Sequence, residues 1–140
     1  MEGLIDRRQL SLDLALSLVR RVREEAEARG LSLAIAVVDT GGHVIASQRM
    51  DGAALGAMRL AVGKAYTSVL WAAPTEDFAR STLPGGDDWG WNTTDRRIVV
   101  YAGGIPLSAD GELVGGLGAS GGAAAEDAEC VSAAARSLGF

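Results

Sequence analysis

The stretch Leu33-Ala-Ile-Ala-Val-Val-Asp39-Thr40-Gly41-Gly42-His43-Val-Ile-Ala-Ser-Gln-Arg49 decides the fold. Residues 33–38 are apolar on both alternating faces, the pattern of a central strand covered on two sides. Asp39-Thr40-Gly41-Gly42 reads as a turn and 44–49 as a second strand, so the stretch is a hairpin. Downstream, Leu107 and Leu113 flank Asp110-Gly111, a dipeptide suited to a two-residue hairpin turn. Residues 114–119 follow as a glycine-rich strand, and 98–101 reads as one more. The pattern predicts five strands joined mainly by hairpins. That is a largely antiparallel sheet with helices packed on it, an α/β (α+β) sandwich.

The helices flank these strands. Ser11 is placed to cap a helix whose apolar face is Leu12, Ala15, Leu16, Val19, Val22 and Ala26, with Gly30 as its stop. Residues 52–71 read as a second helix, apolar on two sides. Leu55, Met58, Val62, Ala65 and Val69 form one stripe; Leu60, Lys64, Thr67 and Trp71 form the other. A helix of that kind is covered twice, the second time by a subunit or a ligand. Pro74 opens a short helix, and 81–97 is a long polar loop of the sort that serves as a lid. Ser120-Gly121-Gly122 leads into a last helix ending near Leu138.

The scarce residues exclude much chemistry. Among 140 residues there is one His, one Cys and one Lys. A zinc site of Cys and His type needs four ligands, and no disulfide can close within the chain. A net charge of -5 argues against a nucleic-acid partner. No apolar run reaches the roughly 18 residues of a membrane span. The charged start, Met1-Glu-Gly-Leu-Ile-Asp-Arg-Arg, lacks the apolar core of a signal peptide, so a cytoplasmic location is expected. The length fits one domain, 1–140. The Arg, Ala and Gly bias suits a GC-rich bacterial genome.

Several residues are candidates for chemistry. His43 is an acid/base or an iron ligand, or else a turn-flanking surface side chain. Arg49 can clamp a carboxylate bidentately, and Asp51 can cap the helix expected from Gly52. Lys64 is a nucleophile or base if buried without charge, or else an interface residue. Trp89 and Trp91 sit in the polar loop and cover a ligand, a partner or the sheet. Gly116-Leu-Gly118-Ala-Ser-Gly121 matches G-x-G-x-x-G, but too few residues follow for a dinucleotide-binding βαβ unit. The amides near Gly121 and Gly122 still suit an anion at a helix start. Cys130 reads as an inert packed thiol.

Taken together, 34–53, then Gly63-Lys64-Ala65-Tyr66-Thr67, then Gly103-Gly104-Ile105-Pro106-Leu107 and Val114-Gly-Gly-Leu-Gly-Ala-Ser-Gly121 resemble the GlcG/HbpS family, which is similar to the C-terminal domain of PduO-type proteins. The likeness runs through nearly the whole chain; residues 84–97 depart from the pattern. It implies a profilin-like α/β sandwich, homo-oligomers from dimer to octamer, and a haem or corrinoid ligand. It supports His43, Arg49, Asp51 and Lys64 as motif positions.

Three functions are then open. One is a binder of haem or a related tetrapyrrole, with His43 toward the iron and Arg49 and the Gly121 amides toward the propionates. Another is a cofactor-free lyase, isomerase or cyclase acting on a small acidic or aromatic metabolite. Lys64 or His43 would be its base, and Trp89 and Trp91 its lid. The last is a structural or regulatory oligomer.

Overall fold

The structure is a computed structural model that describes every residue from Met1 to Phe140. Helix α1 (Leu12–Ala28) is followed by strands β1 (Ala34–Val38) and β2 (Val44–Arg49) and by helix α2 (Ala57–Leu70). Short 3-10 turns at Thr75–Phe78 and Trp91–Thr93 precede β3 (Gly104–Ala109), β4 (Glu112–Ser120) and helix α3 (Ala124–Ser137). The sheet has four strands in the order β2-β1-β4-β3, with every neighbouring pair antiparallel. No helix is long and apolar enough to cross a membrane.

The expected fifth strand is absent. In 98–101 the Val99 amide donates to Thr67 Oγ1 (2.9 Å) and the Ile98 amide to the Asp95 carbonyl (3.0 Å), not to a strand. The segment runs beside α2, with Ile98 buried and Val99 and Val100 half-buried. A short apolar run reads the same against a helix as in a sheet, so its sequence does not separate the two.

Alternation along β1 sorts the core into two layers. Ile35 and Val37 point into a cluster with Leu18, Val22 and Val131 of α1 and α3. Ala34, Ala36 and Val38 meet Ala57, Ala61, Ala65 and Val69 of α2 on the other face. Both faces of β1 are therefore dry, as its unbroken apolar run requires. Each fully buried Leu, Ile or Val in these layers contributes about 1.5–3 kcal/mol of transfer free energy.

The turn chemistry behaves as the residues dictate. Ser11 Oγ accepts from the Leu14 amide (3.2 Å), and Gly30 takes φ +67 after α1. Asp110 (φ 52) and Gly111 (φ 80) are both left-handed, as a type I′ hairpin turn demands. Helix α2 starts later than expected. Gly52 has φ +82, which a right-handed helix does not admit, so Asp51 lies outside the helix and caps nothing. The inner stripe of α2 is also narrower than expected: it is mostly alanine, with Met58 and Val62 only half-buried and Leu55 exposed. The cause is β4. A Cβ on Gly116 would lie 2.6 Å from the Ala65 carbonyl, and one on Gly118 2.6 Å from the Ala65 amide. The G-x-G-x-x-G stretch is thus a packing surface for α2.

Candidate ligand-binding site

Helix α2 carries alanines inward and larger side chains outward. Residues 96–101 run back along that outward face, and between the two lies a cavity of about 690 Å³. Gly63 sets the spacing: a Cβ there would meet the Val99 side chain and lie 2.9 Å from the Arg97 carbonyl. Met58, Val62, Ile98 and Val99 give the cavity apolar walls, with Tyr66 and Tyr101 beside them. Its volume falls within the range of small-molecule sites, roughly 300–1,000 Å³.

Charge is arranged around these walls. Asp95 accepts from Arg97 through Nε (3.0 Å) and Nη2 (2.8 Å), and from the Tyr66 hydroxyl (2.7 Å). The Arg97 guanidinium lies 4.2 Å from the centre of the Tyr66 ring, a cation–π distance. Hydrogen bonds from Arg97, then from Tyr66, hold the Asp95 carboxyl well below the usual carboxylate range. Burial, then the hydrogen bond to Asp95, pushes the Tyr66 hydroxyl up. Arg59 from α2 and Arg96 from the returning segment also line the cavity. The segment is anchored further along by Trp91, whose ring packs 5.3 Å from Phe78 and 6.4 Å from Trp71.

The Asp95 pair predicts a pH dependence. Its folded pKa is depressed, so its contribution is present above the unfolded value of 3.8 and fades as pH falls toward the folded value. Below about pH 5 the wild type should lose stability faster than Asp95→Asn, whose contribution does not titrate. Acid titration of both, followed by tryptophan fluorescence, reads this directly; parallel curves would contradict it.

The candidate residues do not converge on this cavity. Gly42 lines it, with a Cβ position overlapping the Tyr66 ring, but His43 beside it is 83% exposed. The imidazole is turned back on its own turn, with Nδ1 3.3 Å from Asp39 Oδ1. Burial opposes the charge of Asp39, yet amide donors from His43 and Gly41 outweigh it and hold the carboxyl below its ordinary value. Arg49 and Asp51 line a separate polar hollow with Arg23 and Glu27. Trp89 is exposed, and Trp91 faces the aromatic cluster. The anion seat at the α3 start is taken by the helix itself. The Gly122 amide donates to Asp127 Oδ1 (2.9 Å) and the Ala123 amide to Glu126 Oε1 (3.0 Å). Gly121, at φ +134, abuts the Ser32 carbonyl. Cys130 is fully buried, which pushes its thiol up.

Lys64 is buried at 2% exposure with its ammonium 2.9 Å from Asp127 Oδ2 and 2.9 Å from the Ala119 carbonyl. It passes the start of β3 at Gly103, where a Cβ would lie 2.9 Å from both Nζ and Asp127 Cβ. The pair joins α2 to α3 across the end of the sheet. Sequence reasoning missed Asp127, though it is the acidic residue on the buried stripe Asp127, Cys130, Val131, Ala134. It also missed Arg59, Tyr66, Arg96 and Arg97 as cavity groups, and Asp95 as the carboxylate that holds two of them. The adjacent pair Arg96-Arg97 beside an apolar run was the available signal.

Fold and cavity define an α+β protein with a cleft of ligand-binding size on its lone outer helix. The chain belongs to the family described as haem degrading protein HbpS-like, whose model it matches over residues 10–136. It is 33% identical to protein GlcG of Escherichia coli K12 over 111 residues, covering 79% of this chain and 81% of GlcG. The crystal structure of Klebsiella pneumoniae protein ORFY superposes with a TM-score of 0.93 at 25% identity, covering 97% of this chain and 94% of that one. The crystal structure of a PduOC–haem complex superposes with a TM-score of 0.90 at 30% identity, covering 94% and 96%.

Proposed function

We propose that this protein binds haem or a closely related tetrapyrrole in the α2 cavity. The observation that carries the reading is a cavity of about 690 Å³ with aliphatic walls and guanidinium groups on both sides. A flat apolar macrocycle with anionic arms has that complementarity. Membership of an HbpS-like family and likeness to a haem-bound structure support the same ligand class.

The residues present fit the group. Met58, Val62, Ile98 and Val99 would cover the ring, and Arg59 and Arg96 would meet its carboxylates. Of the side-chain types that ligate haem iron, Met58, Tyr66 and Tyr101 line the cavity. The Tyr66 hydroxyl is committed to Asp95, so Tyr101 and Met58 are the nearer candidates and His43 the more distant one. Bound haem would supply an iron centre for oxygen or electron chemistry. A base role for Lys64 finds no support in its position, since its ammonium is held by Asp127 away from the cavity.

Titration of the purified protein with haemin tests the reading by its Soret band. A shifted band that saturates at a fixed stoichiometry is expected. Val62→Glu and Val99→Glu should each abolish it, by placing a carboxylate against the ring. An unshifted band in the wild type, or saturation unchanged in both variants, would remove the cavity as the haem site.

A further inference from the structure

Three guanidinium groups line the cavity, but they are not equivalent. Arg97 spends its Nε and one terminal nitrogen on Asp95, and its face on the Tyr66 ring. Its charge is balanced, and its work is to hold the returning segment on α2. Arg59 and Arg96 make no ion pair or hydrogen bond to any other side chain, and both are exposed at the cavity. They come from opposite walls, one from the helix and one from the segment. An unbalanced pair of permanent cations on a chain of net charge -5 is a local reversal of sign. The anion that answers it is not supplied by this chain.

We propose that Arg59 and Arg96 are specificity-determining residues that select a tetrapyrrole with two free carboxylate arms, and that Arg97 takes no part in that selection. This rests on the tetrapyrrole reading of the cavity. Guanidinium pairs strongly with carboxylate, because both its charge and its paired N–H groups match the acceptor. A neutral amide offers only one carbonyl acceptor and brings N–H groups that repel the donors. Corrinoids, whose peripheral arms are mostly amides, are therefore disfavoured against dicarboxylate porphyrins by the same two side chains.

The test compares haemin, haemin dimethyl ester and hydroxocobalamin, each titrated against the purified wild type and the variants Arg59→Gln, Arg96→Gln and Arg97→Gln. Absorbance gives the affinities, and thermal midpoints report folding. Wild type should prefer haemin over its ester by about tenfold or more, as expected for charge-assisted pairs, and should bind hydroxocobalamin weakest. Arg59→Gln and Arg96→Gln should each weaken haemin by about tenfold. They should leave the ester and the midpoint unchanged, because both residues are exposed and unpaired. Arg97→Gln should weaken haemin and ester alike, since it loosens the wall. Equal affinity for haemin and ester overturns the proposal while leaving the tetrapyrrole site intact. So does loss of both ligands in equal proportion in Arg59→Gln or Arg96→Gln. A wild type that binds neither haemin nor its ester overturns the tetrapyrrole reading and the selectivity with it.

Discussion

Lys64→Met lowers the unfolding free energy by about 3–5 kcal/mol, the range for removing one partner of a buried ion pair. Lys64 and Asp127 have side chains each 2% exposed, with 2.9 Å between Nζ and Oδ2. Removing the ammonium strands a carboxylate that water cannot reach, while the Gly122 amide still holds its other oxygen. Methionine keeps most of the volume, so the effect isolates charge from cavity formation. Asp127→Leu alone should be comparably damaging, because it leaves the cation without its counter-ion. The double variant Lys64→Met/Asp127→Leu should recover much of the loss, since replacing both ions by apolar groups removes two desolvation penalties together. Urea unfolding of the four proteins gives the coupling energy. A loss below about 1 kcal/mol in both single variants would mean that water reaches the pair. A domain of this size has about 5–15 kcal/mol in total, so either single variant consumes a large share of it.

Gly118→Ala is expected to destabilise by about 3 kcal/mol, at the upper end for overpacking by a single methyl. The added Cβ would overlap the Ala61 carbonyl and lie 2.6 Å from the Ala65 amide. Both are backbone atoms of α2, so no side chain can swing aside. Relief requires the helix to lift from β4, which opens the Ala-against-Ala layer and shifts the cavity wall on its far side. Gly56→Ala supplies the contrast. Nothing lies within 4 Å of its Cβ position and its φ is -77, so the same methyl should change stability by no more than about 0.5 kcal/mol. Thermal unfolding of the two variants should separate widely; matching midpoints would show that α2 is not seated on Gly118.

The family resemblance held, and much of the secondary structure was legible, for local reasons. Ser11 before an amphipathic run, Gly30 after it, Asp110-Gly111 between apolar flanks and the unbroken 33–38 run each state a backbone requirement within a few residues. The failures have a common cause. Residues 98–101 are apolar enough for a strand, but burial against α2 and burial in a sheet leave the same trace. Asp51 looked like a cap because its type suits one, and a left-handed Gly52 moved the helix start away from it. The site was harder still. Arg49 and the Gly121–Gly122 amides attracted notice as anion binders, and Asp51 as a cap beside them, yet the structure brings none of them to the cavity. Its polar groups come from α2 and from a segment about 30 residues later, and only their meeting makes a site.

By itself, the sequence determined that three main helices, the hairpins and the two-sided burial of β1 exist, because these depend on periodicity and on turn residues read along the chain, while its motifs carried the resemblance to the family. The tertiary structure alone decided that the sheet has four strands, that Lys64 answers Asp127 across the sheet end, and that Arg97 is bound to Asp95 while Arg59 and Arg96 are not. The first turns on whether an apolar run is buried by a helix or by a sheet, and the other two on which charges come within about 3 Å of one another after folding. Coulombic and hydrogen-bond energies at that range are set by distance and burial in space, and residue order along the chain carries neither.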